Sequence, residues 1–140
     1  MYPEMRKFEI DRKVSGDFWQ GRHAGYDLCL MRNPRLLHWC GYVRVSANAK
    51  VKEETLDVHG GVTFDGFLKE LGGRAIGFDC AHAGDYVPGN AVLRDGNPGA
   101  SPFGHGEYRD RNYAMRQLML LGSQLWSRGV PRRERKKRSA

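Results

Sequence analysis

Asp79, Cys80, His82 and Asp85 fall within seven positions of one another, where a short apolar strand runs into a turn: Gly77-Phe78-Asp79-Cys80-Ala81-His82-Ala83-Gly84-Asp85. Imidazoles and carboxylates ligate zinc, iron or manganese, so His59, Asp79 and His82, with Asp85 beside them, could hold a metal that activates water for hydrolysis. No two histidines stand at the His-x-x-x-His spacing of a helical metal motif. The same residue types also serve structure, Asp79 capping the turn while His59 or His82 is oriented by it. Cys80 and His82 could pair as thiolate and base. Cys80, however, continues the apolar set of Ile76 and Phe78, which points it into a core.

A third chemistry is anion binding. Arg44, Arg74, Arg94, Arg109 and Arg111 can clamp an anion, and Tyr42, Tyr86, Phe103 and Tyr108 can stack on a planar base. Gly60-Gly61, Gly84, Gly89 and Gly99 could bring backbone amides to a phosphate, although no Walker or dinucleotide fingerprint accompanies them. The candidate ligand-binding residues are therefore Arg44, His59, Asp79, His82, Asp85, Tyr86 and Arg109. No catalytic residue and no cofactor is assigned, which points to a binding protein rather than an enzyme.

These residues need elements to position them. A strand is expected over 26–31, a turn at Asn33-Pro34, and a longer strand over 36–45. A second long strand is expected over 55–64, broken by Gly60-Gly61, then a helical turn over 67–71 and a strand over 76–80. Residues 82–106 read as one long loop, rich in Gly, Pro, Asn and Asp. Asp110 offers an N-cap to a helix carrying Ala114, Leu118, Leu121 and Leu125 and ending near Arg128-Gly129.

The fold class expected is α+β, an antiparallel sheet of about four to six strands with the C-terminal helix packed on one face. Strand alternation puts Leu37, Trp39, Val43, Val45, Leu56, Val58, Val62, Ile76 and Phe78 on the helix-covered side. His38, Cys40, Tyr42, Arg44, Asp57, His59, Thr63 and Asp79 would then line the other face as a pocket floor.

The length of 140 residues suits one domain. The expected organisation is an irregular lead-in over 1–25 with at most one short strand or turn of helix, a single α+β domain over 26–127 and a basic, disordered tail over 128–140. Seven Lys or Arg between 128 and 138 against Glu134 give +6 of the total +7, so the body is close to neutral. Such a block can graze nucleic acid without sequence selectivity. No apolar run approaches the roughly 20 residues that cross a bilayer, and the N-terminal charges do not suit a signal peptide, so a cytoplasmic protein without a membrane partner is expected. Three widely spaced cysteines match neither a disulfide framework nor a zinc knuckle, and read as buried thiols. The apolar breadth of the last helix leaves room for a homo-oligomer contact.

Cys-Gly-Tyr-Val (40–43), Val-His-Gly-Gly-Val-Thr (58–63), the nine residues 77–85 and Tyr-Arg-Asp (108–110) together resemble a family of small proteins encoded by bacteriophages and prophages. The resemblance spans about residues 38–127. A Pro-x-x-His-Pro stretch frequent in that family after the first motif has no counterpart in Ser46–Val51. The resemblance implies a phage setting in the host cytosol. By analogy with other small phage proteins, it implies a counter-defence role in which a small anionic, nucleotide-like ligand or a host defence factor is bound. Metal-dependent hydrolysis through His59, Asp79 and His82 is the alternative, and non-specific nucleic-acid binding by the 128–138 tail is a further one.

Overall fold

The computed structural model describes residues 3–93 and 106–132. The chain runs α1 (Pro3–Ser15), β1 (Phe18–His23), β2 (Tyr26–Arg32), β3 (Trp39–Arg44), a 3-10 turn (Glu53–Thr55), β4 (Phe64–Leu68), β5 (Gly73–Asp79), α2 (Pro88–Leu93) and α3 (Arg111–Ser127). The five strands form one antiparallel sheet in the order β1-β2-β3-β5-β4, and α3 packs on one face. The fold is α+β. No helix among the described residues is long and apolar enough to cross a membrane.

The main core lies between the sheet and α3. Leu28, Leu30, Trp39, Val43, Ile76 and Phe78 meet Ala114, Leu118, Leu121 and Leu125 of the helix, and Cys80 joins them at 2% exposure. Gly41 makes the fit possible: a Cβ there would fall 2.4 Å from the Phe78 ring, which lies across it toward Leu118. Asp110 caps α3 by accepting from the backbone N–H of Tyr113 at 2.8 Å, and Gly129 turns the chain away at φ 68°.

The structure corrects several expectations. The stretch 1–25 is more ordered than an irregular lead-in with one short strand or turn of helix, since it holds the 13-residue α1 as well as the short β1. The helix escapes periodicity because it buries only Phe8. Polar contacts anchor it instead: Asp11 Oδ2 accepts from Trp39 Nε1 (3.0 Å), Arg32 Nη2 (3.2 Å), the Tyr108 hydroxyl and the Arg111 backbone N–H (3.1 Å). Arg32, 5% exposed, lies 4.0 Å above the Trp39 ring.

The long strand expected over 36–45 begins only at Trp39, because Asn33 Oδ1 accepts from the N–H groups of Arg35 and Leu36 and Leu37 sits at φ 68°. Residues 56–63 are irregular, with a turn at 59–60, rather than a strand, and the ladder with β5 starts at Phe64, so the stretch 67–71 begins as strand and not helix. The left-handed Gly60-Gly61 pair, at φ 68° and 78°, reverses the chain before it can pair. The sheet face away from α3 is not a polar floor along its length. Cys29, Leu68, Leu71 and Ala75 are buried there, and Tyr42 meets Phe64 edge-on at 5.2 Å.

The tail boundary also moves. Val130 is buried in the main core, its carbonyl accepts the Tyr26 hydroxyl at 2.6 Å, and the Ser46 N–H donates to the Pro131 carbonyl at 2.8 Å. Residues up to Arg132 thus belong to the body, and the rest of the basic block lies outside the described residues.

Candidate functional site

Three distant segments meet where β5 ends. The turn at 58–61 delivers His59, the loop at 80–87 delivers His82 and Asp85, and the segment leading into α3 delivers Arg109. The loop is held open-backed by a short parallel bridge between Asp85 and Glu107, with Tyr86 N–H donating to the Glu107 carbonyl and Glu107 N–H to the Gly84 carbonyl. Gly106 admits that bridge, because a Cβ on it would lie 2.5 Å from the Asp85 carbonyl oxygen.

Asp85 is the hub. Its side chain is 1% exposed, and it accepts from His59 Nε2 (2.7 Å), the His82 backbone N–H (3.0 Å) and Arg109 Nε (2.9 Å). Burial pushes its carboxyl up, but the hydrogen bonds from His59, the His82 backbone and Arg109 outweigh that and hold it below the usual carboxylate range.

The contact with Asp85 places a hydrogen on one His59 nitrogen. An ionised carboxylate can only accept, so Nε2 carries the hydrogen. Nδ1 meets the Tyr113 hydroxyl at 2.6 Å, and where Nδ1 is the acceptor the hydroxyl is the donor. The His59 backbone N–H is taken by Gln117 Oε1 at 2.9 Å, one turn further along α3. Arg109 lies 4.8 Å over the Tyr113 ring and also bonds Glu107, so its charge is neutralised twice.

A second pair adjoins the first. Asp79 accepts from Thr63 Oγ1 (2.8 Å) and the Ala81 backbone N–H (3.0 Å). His82 Nε2 stands 3.1 Å from Asp79 Oδ1, at ion-pair distance but without hydrogen-bond geometry, and the atom is buried. The His82 and His59 rings are 5.9 Å apart, and Gly60 sits so close that a Cβ would fall 2.1 Å from the His82 ring. His38, 5% exposed, faces Asp79, Asp85 and His82, and its Nδ1 has no hydrogen-bond partner.

The structure thus gathers His59, Asp79, His82, Asp85 and Arg109, and leaves two candidates out. Arg44 lies opposite Ala75, at the other end of β3 from the Cys40–Asp79 pair, and donates to the Leu71 carbonyl. Tyr86 is buried in a separate cluster with Phe8 and Tyr108. Of the other anion candidates, Arg74 is forked onto Asp65, while Arg94, Phe103 and Gly99 lie outside the described residues. Tyr113 and Gln117 were missed by sequence reasoning, whereas His38 was among the residues expected on the pocket floor. The signal available was the polar pair Tyr113 and Gln117, four apart on an otherwise apolar helix face.

Among the described residues no group of three His, Cys, Asp or Glu side chains is placed to hold a metal ion. Both ring nitrogens of His59 are already engaged. Burial pushes the Cys80 thiol up, and it pushes those of Cys29 and Cys40 up to about 12. No protein-family model, curated protein or solved structure matches the chain.

Proposed function

We propose that this protein binds a small polar, nucleotide-like ligand at the cluster of His59, His82, Asp85, Arg109 and Tyr113, and that it does so as a phage or prophage accessory protein. The observation that carries the reading is the convergence of the segments 58–63, 77–85 and 108–110, the ones that carry the phage-family resemblance, on one hydrogen-bonded network. Its charges are neutralised internally, so recognition would rest on oriented hydrogen bonds rather than bare charge. With His59 Nδ1 as the acceptor, Tyr113 donates inward, and the ligand would then offer a donor to its oxygen, as an exocyclic amine or a ribose hydroxyl does. Sequestration of such a molecule is the biological use that the phage resemblance supports. A metal-dependent hydrolase on His59, Asp79 and His82 would require His59 to release Asp85 or Tyr113.

Calorimetric titration with cyclic nucleotides and ADP-ribose-type compounds tests this. Binding is expected, with the ligand recovered intact by mass spectrometry. Tyr113→Phe should weaken amine-bearing bases selectively, by about tenfold for one lost hydrogen bond. Absence of heat from the folded protein with every compound would leave the cluster as a structural pin between the loop and α3.

A further inference from the structure

Three exposed cations are gathered at the other end of α3. A cavity of about 330 Å³ opens there between the 50–56 segment, the last turn of the helix and the chain that follows it. Its floor is apolar, made by Val51, Leu56, Leu125 and Val130, and its rim carries the exposed Lys50, Lys52 and Arg128. At 1.5 Å per residue, Leu125 lies roughly 18 Å along the helix from Tyr113, so this cavity is separate from the His59 cluster.

Two features make it a built cavity rather than a gap. Val130 is fixed from behind by the Tyr26 hydroxyl on its carbonyl. Arg128 is pinned at the rim by Nη2 donating to the Thr55 carbonyl, which leaves further guanidinium N–H groups on the same fork. The electrostatics are one-sided, since no carboxylate is among the lining residues. Glu53, the nearest acid in sequence to Lys52, turns instead to Asp65 and Arg74.

We propose that this cavity is a binding site for a small amphipathic anion. An aryl or short acyl body would sit on Val51, Leu56, Leu125 and Val130, with a carboxylate, sulfonate or phosphate held by Lys50, Lys52 and Arg128. The volume lies at the lower end of the range for small-molecule sites, which limits the body to about one or two rings or a short chain. The apolar floor supplies affinity without direction, and the three cations select the charge.

The test uses 1-anilinonaphthalene-8-sulfonate, an aryl anion of this class, against its neutral relative N-phenyl-1-naphthylamine, on the full chain. The anion should saturate at about one equivalent and shift the methyl signals of Val51, Leu56, Leu125 and Val130 in NMR spectra. The double change Lys50→Glu with Lys52→Glu, at two exposed positions, should weaken it at least about tenfold without altering the melting temperature. Arg128→Gln serves as an independent second variant and should weaken it in the same sense. Equal binding by the neutral relative, undiminished binding in the charge-reversed protein, or methyl shifts confined to other residues would each overturn the proposal. The His59-cluster reading is unaffected by any of these results.

Discussion

His59 Nε2 lies 2.7 Å from Asp85 Oδ2, and this contact orders the hydrogens around it. A buried carboxylate that can only accept requires a hydrogen on Nε2, and the other ring nitrogen meets the Tyr113 hydroxyl. In Asp85→Asn the charge opposite Arg109 disappears while both partners stay in place. Loss of about 3 kcal/mol is expected in urea denaturation, the usual cost of breaking a buried pair on one side. A loss under about 1 kcal/mol would show that the hub is not structural. Because the folded carboxyl is held below its unfolded value of about 3.9, its contribution is present above that pH and lost as the pH falls through the folded value.

His38 gives a pH dependence in a different window. Burial pushes its imidazole below the ordinary value, with Asp79 and Asp85 opposing that shift and His82 adding to it. Below about pH 6.5 the unfolded chain takes up the proton first, so stability falls as the pH drops from there toward the folded value. The slope from this group cannot exceed about 1.4 kcal/mol per pH unit. Melting temperatures should therefore be lower at pH 5.5 than at pH 7.5, and His38→Gln should flatten the difference. An unchanged slope in that variant would assign the effect elsewhere.

Gly106→Ala probes the backbone under the hub. The new Cβ would meet backbone atoms of Asp85 and Tyr86, at 2.4 to 2.7 Å, rather than a side chain that can swing aside. A cost of about 2 kcal/mol or more is expected, together with movement of the His59 ring signals. Gly84→Ala lacks such a neighbour, so its cost should come only from the left-handed backbone at φ 90°.

Truncation should distinguish the body from the basic block. Removing residues 133–140, which hold five Lys or Arg against Glu134, should leave melting unchanged and reduce both DNA retention and its salt dependence. Ending the chain at Gly129 should instead cost about 2 to 4 kcal/mol, because Val130 leaves the core and Tyr26 loses its acceptor. Equal stability of the two truncations would contradict the tie between Tyr26 and Val130.

What the sequence by itself determined was local. Period-two alternation put Trp39, Val43, Ile76 and Phe78 on one face, and i, i+4 spacing with the Asp110 cap defined the helix that covers them. It also marked His59, Asp79, His82, Asp85 and Arg109 as capable residues, because their chemistry is carried by their types. Tertiary structure alone decided their company. His59 meets Asp85 across 26 residues and Tyr113 across 54, and those meetings depend on loop closure and strand register, which leave no periodic trace. The same reason separates Arg44 from the cluster: it shares a strand face with the residue opposite Asp79, but sits four residues away at the far end of β3. Helix α1 stayed hidden because one buried Phe8 gives no apolar stripe, and the contacts to Asp11 that hold it come from residues 21 to 100 positions distant.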